Sequence, residues 1–107
     1  MCGRFTSLTP VEELAEFFEA DPADDVTAES FEPNYNVAPT TRIFVVASSP
    51  TGGRRLGRMR WGLVPSWSKE VRGSGLINAR SETVADKPSF RDSFRTKRCL
   101  VPMSGYY

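Results

Sequence analysis

Cys2 is the first residue in this sequence whose position suggests chemistry. With Met1 removed, one terminal residue carries a thiol and an α-amine on adjacent carbons. An α-amine titrates near ~7.7–8.0 and a cysteine thiol near ~8.5, so both types of group are partly nucleophilic close to neutrality. A 1,2-aminothiol condenses with an aldehyde in two steps. The amine forms a Schiff base, and the thiol then closes a five-membered thiazolidine. The polyanionic aldehyde available in cells is an abasic site in DNA, whose opened sugar exposes a C1′ carbonyl. The plainer reading of Cys2 is a small buried hydrophobe, the usual fate of a free cysteine. The residue alone does not choose between them.

Charge is unevenly distributed along the chain. The chain has 107 residues and a formal net charge of +1. Residues 1–40 hold nine acidic side chains and one basic one, Arg4, for a net of −8. Residues 41–107 hold thirteen basic and four acidic, for a net of +9. Such a split is either two solvated faces of one domain or a basic surface for a nucleic acid. The sequence contains no histidine and two cysteines. A His-based triad within these residues is excluded, and two cysteines cannot complete a tetrahedral zinc site. No cofactor or metal is expected. Two cysteines make no disulfide framework, no apolar run reaches the roughly 20 residues of a bilayer span, and no signal segment opens the chain. A cytoplasmic protein with no membrane association is expected, lying on the nucleoid when bound to DNA.

The elements that would position these groups read as one α+β domain over residues 1–107. "LTPVEELAEFF" predicts a helix, with Thr9 as N-cap, Pro10 at the first helical position and Glu12 closing a capping box. Val11, Leu14, Ala15 and Phe18 form its apolar stripe. The acidic stretch 19–33 reads as a surface loop. "NYNVAPTT" is extended, because the residue before Pro39 is pushed away from helix. "RIFVVAS" is a strand by its β-branched and aromatic content. A Gly-Gly turn leads into "LGRMRWGLV", where Met59, Trp61 and Leu63 alternate with Arg58, Arg60 and Gly62. This predicts a hairpin with the arginines outside and Trp61 in the core. Residues 65–75 form a loop, "LINARSETV" a strand then a turn, and "KPSFRDSFRTKR" a short basic helix. Cys99 sits on an apolar strand and reads as an inert buried thiol. Tyr106 and Tyr107 open a further strand where the sequence stops. A truncated domain with an unpaired edge, open to self-association, is the expectation.

Five motifs occur in order: "MCGRF" at the start, "NYNVAPT" at 34–40, "RWGLVPSW" at 60–67, "INARSET" at 77–83 and "RCLVPMSGYY" at 98–107. Together they resemble the SRAP domain family, the SOS-response-associated peptidase or abasic-site-processing proteins. The resemblance implies a mixed β-sheet, barrel-like fold with short flanking helices. It implies single-stranded DNA as partner and covalent capture of abasic sites by the residue after Met1, whose removal is autoproteolytic. By the same resemblance Cys2 is the nucleophile, and Asn78 orients its thiol or polarises the carbonyl. Arg4 and Arg80 hold phosphates beside the lesion, and Asn36, Pro39, Thr40 and Trp67 line the DNA path. The family pattern continues past "GYY" with a catalytic glutamate and, further on, a catalytic histidine; neither is among these residues.

Two other functions fit parts of this pattern. A terminal nucleophile whose own amine acts as base would suit a cysteine peptidase. A basic surface with an exposed aromatic such as Trp67 would suit a non-catalytic single-strand-binding module, since every base has a face on which an aromatic can stack.

Overall fold

A computed structural model describes residues 2–69 and 76–107. Met1, with the question of its removal, and residues 70–75 of the expected 65–75 loop lie outside the described residues. The chain order is β1 (Phe5–Ser7), α1 (Val11–Phe18), β2 (Ala20–Pro22), a 3-10 turn (Ala28–Ser30), β3 (Asn34–Val37), β4 (Arg42–Ser48), β5 (Arg54–Arg60), α2 (Arg91–Thr96), β6 (Cys99–Leu100) and β7 (Gly105–Tyr106). Two sheets result, ordered β3-β1-β7 and β2-β5-β4-β6.

The β4–β5 hairpin is the frame. Its register runs from Arg42 opposite Arg60 to Ser48 opposite Arg54. The turn uses Gly52 and Gly53 at φ 101° and 74°, a region open to glycine at no steric cost. β4 is buried on both faces, which explains its unbroken apolar run. Val46 and Leu56 join Val11, Leu14, Ala20 and Val26 in one core, with Phe18, Phe31 and Phe44 packed around it. Ile43 and Val45 join Phe5 and Val37 in a second core, with Cys2 and Trp61 against it. One strand thus ties the helix layer to the β1–β3 layer.

The helix at 11–18 forms on the expected stripe, but its start differs. Pro10, extended at ψ 156°, is the N-cap, and no side chain caps the helix. Thr9 Oγ1 instead lies 3.4 Å from Ser104 Oγ. At the other end Glu19 takes a left-handed conformation, and Arg54 Nη1 donates to the Phe18 carbonyl at 2.9 Å. This satisfies an orphan carbonyl and places positive charge at the negative end of the helix.

The 19–33 stretch is more ordered than a surface loop. Its Ala20–Pro22 segment pairs parallel to β5, and Ala20 and Val26 are buried in the first core. Two apolar residues among many acids are enough to anchor it. In β5 the two faces are reversed from the expectation. Leu56 fixes the inward side by pairing with Val46, and a period of two puts Arg58 and Arg60 on that side too. Met59 points outward and is 53% exposed. Arg58 holds its guanidinium 5.6 Å from the Phe44 ring, stacking its stem on apolar surface. Trp61 is half-buried, its ring 5.4 Å from Phe5.

The 76–86 segment is mostly turn, tied to the 60s by a bridge between Leu63 and Leu76. β6 pairs antiparallel with β4 and β7 with β1. The two sheets do not close into a barrel among the described residues, because the chain passes from β6 to β7 through 101–104 without pairing one sheet to the other. Cys99 is exposed, not buried, because β6 is an edge strand. Among the described residues no helix is long and apolar enough to cross a membrane.

Candidate functional site

Four stretches distant in sequence meet at one end of the second core. β1 carries the amino-terminal residues into the sheet, with Phe5 paired to Val37 of β3. Cys2 therefore leaves the edge of the core half-buried, its side chain against that cluster. Its Sγ donates to the Arg4 carbonyl at 3.6 Å.

Asn78 comes to the same place. With its amide oriented so that both its groups are satisfied, Nδ2 donates to the Cys2 carbonyl at 3.2 Å and to the Ile77 carbonyl at 3.3 Å. The Leu63–Leu76 bridge sets this approach: the Leu63 N–H donates to the Leu76 carbonyl at 2.9 Å and the reverse bond is 3.2 Å. Asn78 is itself exposed, so the contact lies at the surface. The amide grips the backbone of Cys2, not its sulfur. It can hold Cys2 in place without engaging its thiol.

The third stretch is the 38–41 turn. The Thr41 N–H points to the Ala38 carbonyl at 3.4 Å, and Thr41 Oγ1 donates to the same oxygen at 2.6 Å. Pro39 stands at the second position and Thr40 at the third, with φ 77°. Proline fixes φ near ~−65°, so a positive φ in the next residue defines a type II turn. Glycine is the usual residue there; a β-branched residue is an outlier. The turn is held from both sides by Trp61, whose carbonyl accepts from the Thr40 N–H at 2.9 Å and whose N–H donates to the Thr41 carbonyl at 2.9 Å. The Trp61 ring packs on Phe5, three residues from Cys2. Trp61 thus couples turn and nucleophile through core packing. Its place in the alternating strand suggested burial but gave no sign of this bracing role.

The other candidates are mostly exposed. Arg4 and Arg80 are exposed, each two residues from the Cys2–Asn78 contact. The Arg80 carbonyl accepts from Thr83 and Val84, which fixes the backbone there and leaves the guanidinium outside. Pro39 is half-buried, and Thr40 is exposed. Trp67 is 61% exposed on a turn closed by the Ser68 N–H donating to the Pro65 carbonyl at 3.0 Å. Its ring does not lie over the core as a lid would. Asn36 is exposed on β3, its N–H accepted by Asn34 Oδ1 at 2.8 Å, and belongs to the strand beside the cluster. Among the described residues no three His, Cys, Asp or Glu side chains stand together in a metal-binding group.

Cys99 lies apart from this region, on the far edge of the other sheet. Partial desolvation pushes its thiol above the ordinary value. A raised thiol is a poorer nucleophile at neutral pH.

The site is thus a small α+β domain whose second core ends in a surface contact between Asn78 and Cys2, with Arg4 and Arg80 exposed two residues along the chain from it. The sequence matches the SOS response associated peptidase (SRAP) family over residues 1–107, and the chain belongs to that family. It is 40% identical over 108 residues to the abasic site processing protein YoqW of Bacillus subtilis (strain 168), covering 100% of this chain and 47% of that protein. It is 34% identical over 95 residues to the abasic site processing protein HMCES of Xenopus tropicalis, covering 78% of this chain and 28% of that one. Its fold also matches the X-ray crystal structure of a protein from Bordetella bronchiseptica, with a TM-score of 0.70 and 22% identity over 99% of this chain and 50% of the other. The chain spans about half the length of the curated relatives it matches most fully.

Proposed function

We propose that this chain is the nucleophile-bearing, DNA-binding part of a protein that captures abasic sites in single-stranded DNA. The observation that carries the reading is the Asn78 amide bonded to the Cys2 carbonyl at 3.2 Å at the surface, with Arg4 and Arg80 exposed two residues away along the chain. The family membership and the names of the relatives support it.

With Met1 removed, the Cys2 amine adds to the C1′ aldehyde of the opened sugar. The carbinolamine loses water to give an imine. The thiol then adds across the C=N bond; sulfur bonds to C1′ and the thiol proton ends on nitrogen. One water leaves in all, and no oxidant or cofactor is consumed. Asn78 is a positioning residue: it holds the Cys2 backbone so that amine and thiol reach the same carbon. Arg4 and Arg80 contact flanking phosphates. Trp67 offers a stacking face, worth ~1–3 kcal/mol per base. Asn36, Pro39 and Thr40 form the wall along which the strand runs.

The reading is tested by incubating Met-free protein with abasic and intact single strands and resolving products on denaturing gels. Heat-stable product should form on the abasic strand alone, vanish in Cys2→Ala and slow markedly in Asn78→Ala. A product that persists in Cys2→Ala, or that forms equally on intact strands, would refute it. Strongly salt-dependent binding with no covalent product would instead support the non-catalytic module.

A further inference from the structure

Away from the Cys2 end, helix α1 and residues 102–104 enclose a groove of about 650 Å³. Leu14, Phe18 and Met103 give it an apolar lining, and the exposed Glu13 and Glu16 also line it. Phe17 lines it while remaining 80% exposed, held edge-on to Phe18 at 4.9 Å between ring centroids. The core stripe of α1 does not need Phe17. A large aromatic kept in water beside an apolar trough has the character of a binding anchor.

Charge identifies the occupant. Every charged residue on α1 is acidic, and the stretch 1–40 has a net charge of −8. Glu13 and Glu16 disfavour nucleic acid and anionic lipid along the helix side of the groove, while Arg54 sits at its Phe18 end. A trough running beside a helix, with apolar and acidic side chains in its lining, matches the helix-in-groove mode of peptide recognition. We infer that the α1 groove docks a basic amphipathic helix of a partner protein, with Phe17 as the central anchor and Glu13 and Glu16 pairing with lysine or arginine. The molecule then has two working faces: the surface around Cys2, and an acidic one that stays free for protein while DNA is held.

The probe is a fluorescein-labelled designed helix of leucine and lysine, about 18 residues long so that it is stably helical. Its counterpart replaces lysine with glutamate. Fluorescence anisotropy against the whole chain should show saturable binding of the lysine helix, weakened several-fold by raising salt from 0.05 to 0.5 M. Phe17→Ala should lower the affinity at least tenfold, as should the Glu13→Lys, Glu16→Lys double variant. All three side chains are exposed, and unchanged melting curves would show the variants folded. Equal binding of the glutamate helix, or equal binding by all variants, would overturn the proposal. So would concentration-dependent self-association lost in Phe17→Ala, which would make a second copy the occupant. Displacement of the probe by the second half of the Bacillus relative, added as a separate polypeptide, would assign the groove to that segment and overturn it too.

Discussion

Replacing Thr40 by glycine should make this protein more stable. Thr40 occupies the third position of a type II turn at φ 77°. An L-residue in the left-handed region costs roughly 1–2 kcal/mol, and branching at Cβ keeps a residue at the upper end. Glycine removes that cost but loses more backbone freedom on folding, about 0.5–1 kcal/mol. The hydrogen bonds that hold the turn use the Thr40 N–H and the Thr41 side chain, so Thr40→Gly keeps them all. The exposed Thr40 side chain contributes little burial. The balance is a gain of about 1–1.5 kcal/mol, or roughly 4–12 °C in Tm for a domain of this size. Urea and thermal unfolding followed by tryptophan fluorescence would measure it, with Thr40→Val as the control that keeps the strain. A fall in stability for Thr40→Gly, or an equal rise for Thr40→Val, would refute the reasoning. Since strain persists where something requires it, Thr40→Gly should also weaken abasic-strand capture while stabilising the fold.

Other expectations follow from the cores and the edge. Leu56 is fully buried at the meeting of helix and sheet, so Leu56→Ala should cost about 2–5 kcal/mol, visible as a lower urea midpoint. Arg58 keeps its Nε buried without a hydrogen-bond partner, a burden of ~1–3 kcal/mol, against ~0.5–1 kcal/mol gained over the Phe44 ring. Arg58→Met should therefore raise stability by about 0.5–2 kcal/mol; a loss in chemical denaturation would show the guanidinium has a stabilising role here. Cys99 has a folded pKa raised by desolvation. Its contribution to stability is thus present below the ordinary thiol value and is lost as pH rises through the raised one. Unfolding midpoints should fall in that alkaline window for the wild type and fall less for Cys99→Ser.

The sequence made some of this legible for physical reasons. The bounds of β4 were readable because a run of β-branched and aromatic residues has few other uses, and the Gly-Gly turn set its hairpin. The α1 stripe was readable because its spacing is helical; its cap was not, because Pro10 can stand outside a helix as well as inside. The facing of β5 was lost because alternation gives two faces but not their sign. Leu56, two residues before Arg58, determines that sign through Val46, a pairing fixed only in three dimensions. Long arginine stems and a tolerant methionine then removed the usual penalty for the reversal. Cys99 looked buried because Leu100 and Val101 follow it, yet on an edge strand apolar neighbours do not ensure cover. Around the candidate site, motif order pointed to Cys2 and Asn78. The structure adds what no local pattern carries: the Leu63–Leu76 bridge that brings them together, and the Trp61 brace beneath the 38–41 turn.

The central claim is most directly tested by intact-mass analysis of Met-free protein after incubation with an abasic single strand, followed by peptide mapping. The account predicts one adduct whose mass is protein plus oligonucleotide less one water, mapping to Cys2 and absent from Cys2→Ala. An adduct on a lysine or on Cys99, or none under conditions where the strand is bound, would contradict it.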